Sequence, residues 1–495
     1  MNYYLGIDIG TTSAKAVAFS ESGEVLAFYS STYKMYHPHP SWSEHDPEEV
    51  LGAVISSSNK VILSLPSHTL KFVAFSAAMH GLLVIDKNNL PLTNCIIWAD
   101  NRAGEIAEEL KSSELGKELY HISGVPVHAM SPLCKLMWLK ENEPLIFRQA
   151  HKFISIKEYI YYKVFNEYLV DTSIASTTGL LNLKTLKWDE NVLHFLEITS
   201  AHLSKVVSSK DRRIYKKNEV SGQAQQWLIP DGTSFIIGGS DGALANLGTG
   251  AVCKNSMAIS IGTSGAARVV VDEAETDEAM RTFCYHIKDE YYIIGGPSNN
   301  GAIVLEWLKN NLLETNESFE ELFERAATVN AGSDDLIFIP YILGERAPVW
   351  NSKARGVFFG LNINHTKSHL IRACMEGIIY SMYSIAKILL EEREIEEIHA
   401  TGGFVNSPLW LQMLADVCNI KVVVSGAVES SALGAVIVGM EAMEIEPFGR
   451  KEILSAYKPN LLHNEIYTKG FERFERIYES LKNEVAEEVI PLLQV

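Results

Sequence analysis

One pattern occurs twice in the chain, and it constrains the fold more than anything else. Near the N-terminus, YLGIDIG, TTSAK and AVAFS read as an apolar strand, a polar turn and a return strand. Near the middle, MAISIGTSGAARVVVD has the same form, with Gly262-Thr263-Ser264-Gly265 as its turn. Gly10-Thr11-Thr12-Ser13 and this second turn are expected to be equivalent turns of two similar domains. At 495 residues the chain is longer than one hydrophobic core usually grows, so two domains are expected, spanning 1–249 and 250–495.

The rest of the sequence reads as alternating strands and helices, which makes the class α/β in two lobes. Asp46-Pro47-Glu48-Glu49 has the form of a helix start, with Asp as N-cap and Pro at the first helical position. KFVAFSAAMHGLLVID reads as a strand that ends at a loop from Asp86 to Asn89. Leu370, Cys374, Ile378, Met382, Ile385 and Leu389 form one apolar stripe, which predicts a helix from about His369 to Glu392. A short strand, IHAT, then leads through Gly402-Gly403-Phe404-Val405-Asn406 to a helix opened by Ser407-Pro408.

Composition excludes several classes of function. Hydrophobic residues at 47% and charged residues at 21% mark a globular chain rather than a disordered one. A net charge of −18, with no lysine-arginine block to offset it, argues against nucleic acid and anionic membranes as partners. The six cysteines are scattered and never form CxxC, as expected of buried thiols in a reducing compartment. MNYYLGIDIG has no basic leader and carries Asp8 in its apolar run, unlike a signal peptide. No apolar stretch is expected to approach a membrane span, so a cytoplasmic protein is expected. A homodimer is left open.

Three loops rich in Gly, Thr and Ser follow apolar strands: Gly10 to Ser13, Gly262 to Gly265, and Gly402 to Ser407. Glycine lets a backbone approach phosphate oxygens, and amides and hydroxyls then donate to them. The third loop also runs into a helix N-terminus, where an anion is favoured. Any one of them is also an ordinary turn. Three together, two of them related, point to a nucleotide polyphosphate, although GxxxxGK[ST] and GxGxxG are both missing.

Single residues carry alternatives. Asp8 beside the first loop suits magnesium, or equally a hydrogen bond to turn amides. Asp241, in Gly238-Gly239-Ser240-Asp241-Gly242, suits a base that meets a bulky substrate, or an Asp turn. His80 alone reads as a structural histidine. Trp98-Ala99-Asp100-Asn101-Arg102 suits recognition of sugar hydroxyls, or Asp100 caps a helix beginning near Ala103. His365 and His369 have helical spacing but no third ligand for zinc, and GxSxG is missing.

At these loops the chain resembles the FGGY family of carbohydrate kinases, from Tyr3 to about Met443. The strings that carry the resemblance are GIDIGTTSAKAV, MSPLCKLMWLKEN, GGSDGALANLG, SIGTSG, GERAPVWN, GVFFGL followed by HLIRACME, and TGGFVNSPLWLQMLAD. The family implies two ribonuclease-H-like domains of the actin/hexokinase ATPase type around a central cleft. ATP would lie mainly on the second domain and the sugar mainly on the first. The resemblance puts Asp8 near Mg2+, and Thr11, Thr12 and Lys15 near the ATP phosphates. Many relatives carry Arg where Lys15 stands, which here replaces a fork by a point charge. Gly262 and Thr263 are similar to the second phosphate contact, Gly301 to a nucleotide-lining position, and Gly402, Gly403 and Ser407 to the adenosine border. Asp241 matches the family's general base. Met79, His80, Trp98, Asp100, Asn101 and Met130 fall at sugar-side positions.

The substrate expectation follows from FSAAMHGLLVID, CIIWADNRA, KEYIYYKVF and VDTSIASTTGLLNLKTLKWD, which look most like the family's gluconate kinases. Met79-His80 is also similar to the Met-His pair of xylulose kinases, whereas glycerol kinases carry Arg-Glu there. The expected reaction is phosphorylation of the terminal hydroxyl of D-gluconate by ATP. Xylulose or another pentulose is the alternative substrate. A nucleotide-dependent sensor without turnover is the rival of another class, and the presence of both Asp8 and Asp241 argues against it. A gluconate carboxylate needs donors, and His80, Arg102, His128 and Lys135 are the candidates. Arg346 is expected to pair instead with Glu345 or another acid.

Overall fold

The computed structural model describes residues 1–220, 222–426, 429–449 and 452–484. The chain forms two compact units. One takes up Met1–Gly250, Val271–Ile293 and Ala427–Lys451, the other Ala251–Val270, Ile294–Gly426 and Glu452–Val495.

The first unit is built on β1 (Asn2–Ile9), β2 (Ser13–Ser20), β3 (Val25–Thr32), β4 (Thr69–Ala77), β5 (Arg212–Ile214) and β6 (Ser234–Ser240), in the sheet order β5-β6-β4-β1-β2-β3. The polar turn joining β1 and β2 makes them antiparallel, while β1, β4 and β6 run parallel to one another. Alternation along β1 sends Leu5, Ile7 and Ile9 into one core, with Val50, Leu51 and Val54 of the helix Pro47–Ser64. As expected, Asp46 caps that helix and Pro47 opens it.

The opposite face takes Tyr4, Val17 and Phe72 into a second core, with Leu433, Val436 and Met440 of the helix Ser430–Ala442. That helix lies so close that a Cβ on Gly6 would fall 2.6 Å from the Ala432 carbonyl oxygen. One on Gly434 would fall 1.9 Å from that of Leu244. Close backbone approach is what fixes these glycines.

Two expectations are corrected here. KFVAFSAAMHGLLVID is two strands, Thr69–Ala77 and Leu83–Ile85, broken where His80 takes a left-handed φ of 64°. Lys15 lies inside β2, opposite Asp8, and not in the turn.

The second unit repeats the hairpin. β7 (Ser256–Ile261) pairs antiparallel with β8 (Gly265–Val271) and parallel with β9 (Glu397–Thr401). β10 (Lys421–Ser425) and β11 (Ile453–Tyr457) complete the run β8-β7-β9-β10-β11. In both units the first strand of the hairpin is thus flanked by its return strand and by a parallel strand, the α/β arrangement expected.

The long helix is Lys367–Leu390, with Cys374, Ile378, Met382, Ile385 and Leu389 buried and Leu370 partly exposed. Its length and composition are sufficient to cross a membrane, which corrects the expectation that no stretch approaches a span. Burial of 78% of its apolar window inside the protein accounts for that composition. Five cysteines are buried, and Cys253 is partly exposed.

Candidate active site

The carboxyl ends of three adjacent parallel strands bring the first unit's candidates together. Asp8 of β1 stands beside Ser76 of β4, which stands beside Gly239 of β6. Beyond this row the strands continue into Gly10–Thr12, Met79–His80 and Asp241. Ligands of open α/β sheets bind at such carboxyl ends.

Each loop is held by short hydrogen bonds. The Ser76 hydroxyl donates to Asp8 at 2.7 Å. Burial raises the Asp8 carboxyl above the usual carboxylate range, against the pull of Ser76 and Lys15. Lys15 Nζ reaches Glu429 at 2.9 Å. The Gly10 carbonyl accepts from the Tyr33 hydroxyl. The Thr11 hydroxyl accepts from the Trp98 indole at 2.8 Å, which joins the first loop to the Trp98–Arg102 segment. Thr12 is exposed.

His80 is buried. Its Nδ1–H donates to the Thr177 carbonyl at 2.8 Å, which leaves Nε2 to accept from the Tyr285 hydroxyl at 3.5 Å. Met79 beside it is partly exposed.

Asp100 does not cap the following helix. That helix is Gly104–Lys111 and has Ala103 at its N-cap with no side-chain bond. Asp100 accepts instead from the Ser43 amide at 2.6 Å and pairs with Arg102 at 2.9 Å. Arg102 also reaches Glu44 at 2.5 Å and stacks on the Trp42 ring at 3.8 Å, so it is committed within the protein. Asn101 is exposed, and its amide donates to the Ser41 carbonyl at 2.8 Å. Met130 is fully buried, and its amide donates to Nδ1 of the buried His128 at 3.2 Å. Lys135 is also fully buried and donates to three carbonyls, those of His80, Ile97 and Ile96. Arg102 and Lys135 are therefore corrected from carboxylate candidates to structural cations.

Asp241 opens the helix Asp241–Thr249, and its carboxylate accepts from the Gly242 amide at 2.7 Å. That bond is to the adjacent residue's amide, at the point where β6 passes into the helix.

The second unit gathers its own set. Gly301 packs so tightly that a Cβ would meet the Gly262 carbonyl oxygen at 2.5 Å and that of Ser264 at 2.7 Å. Gly402 has φ 97°, and a Cβ there would lie 2.4 Å from the Ile261 carbonyl oxygen. The turn at Gly262–Ser264, Gly301 and Gly402 therefore meet at the carboxyl ends of the parallel pair β7 and β9. Thr263 and Gly403 are exposed there. Ser407 caps the helix Pro408–Cys418 by accepting from the Trp410 amide at 3.3 Å. Glu345 accepts from Ser298, Asn299 and Asn300, which lead into Gly301. Arg346 bonds Glu345 through its backbone amide, while its guanidinium donates to the Ser298 carbonyl.

Sequence reasoning missed Ser76, Glu429, Ser173, Tyr285 and the pair Lys157–Asp171. Asp171 is the single charge in YLVDTSIAS, whereas Lys157 shares KEYIYYKVF with Glu158 and Lys163 and is not singled out there.

The chain belongs to the FGGY family of carbohydrate kinases: the family's N-terminal domain matches residues 3–248 and its C-terminal domain residues 257–443. It is thus a phosphotransferase that uses ATP on a small, sugar-type substrate. It is similar to the gluconokinase of Bacillus subtilis (strain 168), with 44% identity over 452 residues that cover 89% of this chain and 88% of that one. Among solved structures it is similar to gluconate kinase from Lactobacillus acidophilus, at 33% identity and a TM-score of 0.93, covering 97% of this chain and 98% of the other. The ligand-bound xylulose kinase of the same organism gives the same identity and TM-score, covering 97% of this chain and 99% of its own.

Proposed function

We propose that this protein transfers the γ-phosphoryl group of ATP to the terminal hydroxyl of D-gluconate, giving 6-phosphogluconate and ADP in the cytoplasm. The observation that carries the reading is the meeting of Asp241, Met79–His80 and the Gly10–Thr12 turn at the carboxyl ends of β6, β4 and β1. The 44% identity to a gluconokinase supports gluconate as the substrate.

In this reading Asp241 accepts the proton of the substrate hydroxyl as its oxygen attacks the γ-phosphorus. The new O–P bond forms as the bond to the β-phosphate oxygen breaks, and ADP leaves with that electron pair. Such a transfer depends on positioning and charge stabilisation more than on a nucleophile. Thr11, Thr12, Lys15, Gly262 and Thr263 are assigned to the phosphates. Gly301, Gly402, Gly403 and Ser407 are assigned to the nucleoside. Met79, His80, Trp98, Asp100, Asn101 and Met130 are assigned to the sugar side.

Magnesium fits this residue set. Among the described residues no group of three His, Cys, Asp or Glu side chains could hold a metal by itself. Mg2+ characteristically takes one or two carboxylates and completes its shell with water and phosphate oxygens. Asp8, whose buried carboxyl gains from a neighbouring cation, is the residue that would hold it. When bound, the ion neutralises charge on the transferring phosphoryl group.

Xylulose is the second reading, favoured by the equal structural likeness to a xylulose kinase. Analysis of the product tests the assignment. Phosphorus–proton correlation spectra should place the new phosphate on carbon 6 of gluconate, and D241N should lower kcat by ~10²–10⁴-fold with ATP still bound. Phosphate on another carbon, or full turnover by D241N, would contradict it.

A further inference from the structure

Below the Asp241 loop lies an ion pair that the reaction just described does not use. Lys157 Nζ and Asp171 Oδ2 are 2.5 Å apart, with side-chain exposures of 1% and 0%. Lys157 also donates to the carbonyls of Ile237 at 3.1 Å and Gly239 at 3.2 Å. Those two residues flank Gly238, where β6 slips out of register with β4. Gly238 has φ 68°, and a Cβ there would fall 1.8 Å from the Phe75 carbonyl oxygen. A bulge of this kind re-aims the residues that follow it, and here both carbonyls beside it are bound by one ammonium.

A second tether starts from the other oxygen of Asp171. Asp171 Oδ1 accepts from the Ile174 amide and so begins the short helix Thr172–Ser176. Within that helix the Ser173 hydroxyl oxygen accepts from the Ser240 amide at 3.1 Å and pairs with the Ser240 hydroxyl at 2.9 Å. The two tethers grip residues 237 to 240, immediately before Asp241.

A buried ion pair is a poor device for stability alone, since well-packed neutral side chains serve as well or better. A pair that fixes two backbone carbonyls and, through one helical turn, a backbone amide is suited to holding geometry. We propose that Lys157 and Asp171 are positioning residues that set the aim of the Asp241 carboxylate at the substrate hydroxyl. This inference rests on the reading of Asp241 as general base.

The test compares wild type, D241N and the double variant K157M/D171N, which removes both charges and keeps the oxygen that caps the short helix. A misplacement of about 1 Å can cost ~10²-fold in rate. The double variant should therefore lose about 10- to 100-fold in kcat with gluconate, while ATP affinity, the KM for gluconate and the melting temperature stay near wild type. Wild-type kcat in the double variant would overturn the inference, as would a loss matched by the unfolded fraction. Turnover by an otherwise intact D241N would overturn the base assignment and this inference together. Loss in D241N with full activity in the double variant would overturn the inference alone. Should the double variant fail to fold, S173A removes only the second tether. It should lower kcat severalfold at unchanged stability, and an unchanged kcat would overturn the proposal.

Discussion

Lys135 Nζ stands 2.6 Å from the carbonyl oxygen of His80, and its remaining donors reach Ile97 at 2.8 Å and Ile96 at 3.3 Å. One ammonium so ties the left-handed turn at His80 to the strand end that leads into Trp98. Burial pushes this lysine down to about 7, the opposing pull coming chiefly from Asp100. An ammonium surrounded by three carbonyls cannot also serve a substrate carboxylate.

Removing that ammonium should therefore disturb the sugar side and spare the nucleotide side. K135M is expected to raise the KM for gluconate at least about tenfold, as loss of charge-assisted bonds of this kind implies. The KM for ATP should move less than about twofold. Steady-state kinetics with each substrate varied in turn decides it, and an unchanged gluconate KM would refute the clamp.

Backbone contact between the helices Asp241–Thr249 and Ser430–Ala442 predicts a sharp contrast between two Gly→Ala changes. At Gly434 a methyl group would lie 1.9 Å from the Leu244 carbonyl oxygen, whereas at Gly104 it would meet nothing within 4 Å. G434A should cost more than about 3 kcal/mol or prevent folding. G104A, at the start of a helix, should be neutral or stabilise by up to ~1 kcal/mol. Urea denaturation of both variants checks this, and equal stabilities would be inconsistent with the packing.

His45 predicts a pH dependence. It is buried against the Tyr33 ring, and burial lowers it from 6.5 to about 4. Between those values the unfolded chain binds the proton and the folded chain does not, so stability rises with pH there. The stabilisation from His45 is complete above pH 6.5 and is lost as pH falls toward 4, by up to ~3 kcal/mol. H45Q should lose less stability than wild type between pH 6.5 and 4.5. Parallel losses would show that His45 does not titrate in this window.

What the sequence made legible was local. Alternation around Gly10–Thr12 and Gly262–Ser264 gave both hairpins, Asp46-Pro47 gave a helix start, and one apolar stripe gave the helix through Cys374 and Met382. What it hid was long-range or conformational. Nothing in an apolar run announces that His80 turns left-handed and breaks the strand. The partners of Asp8 and Lys15 lie 68 and 414 residues away. Asp100 was equally suited to sugar recognition or to a helix cap, and its pairing with Arg102, a neighbour in sequence, was not read. Lys135 and Lys157 look like ordinary cations in sequence, because the carbonyls that hold them belong to other elements.

Gluconate is the acceptor that the likeness to gluconokinases supports. The most direct test is kcat/KM for ADP release with ATP and magnesium, measured separately with D-gluconate, D-xylulose, D-ribulose and glycerol. Gluconate is expected to exceed each of the others by at least about 10²-fold. A xylulose value equal to or above that of gluconate would contradict it.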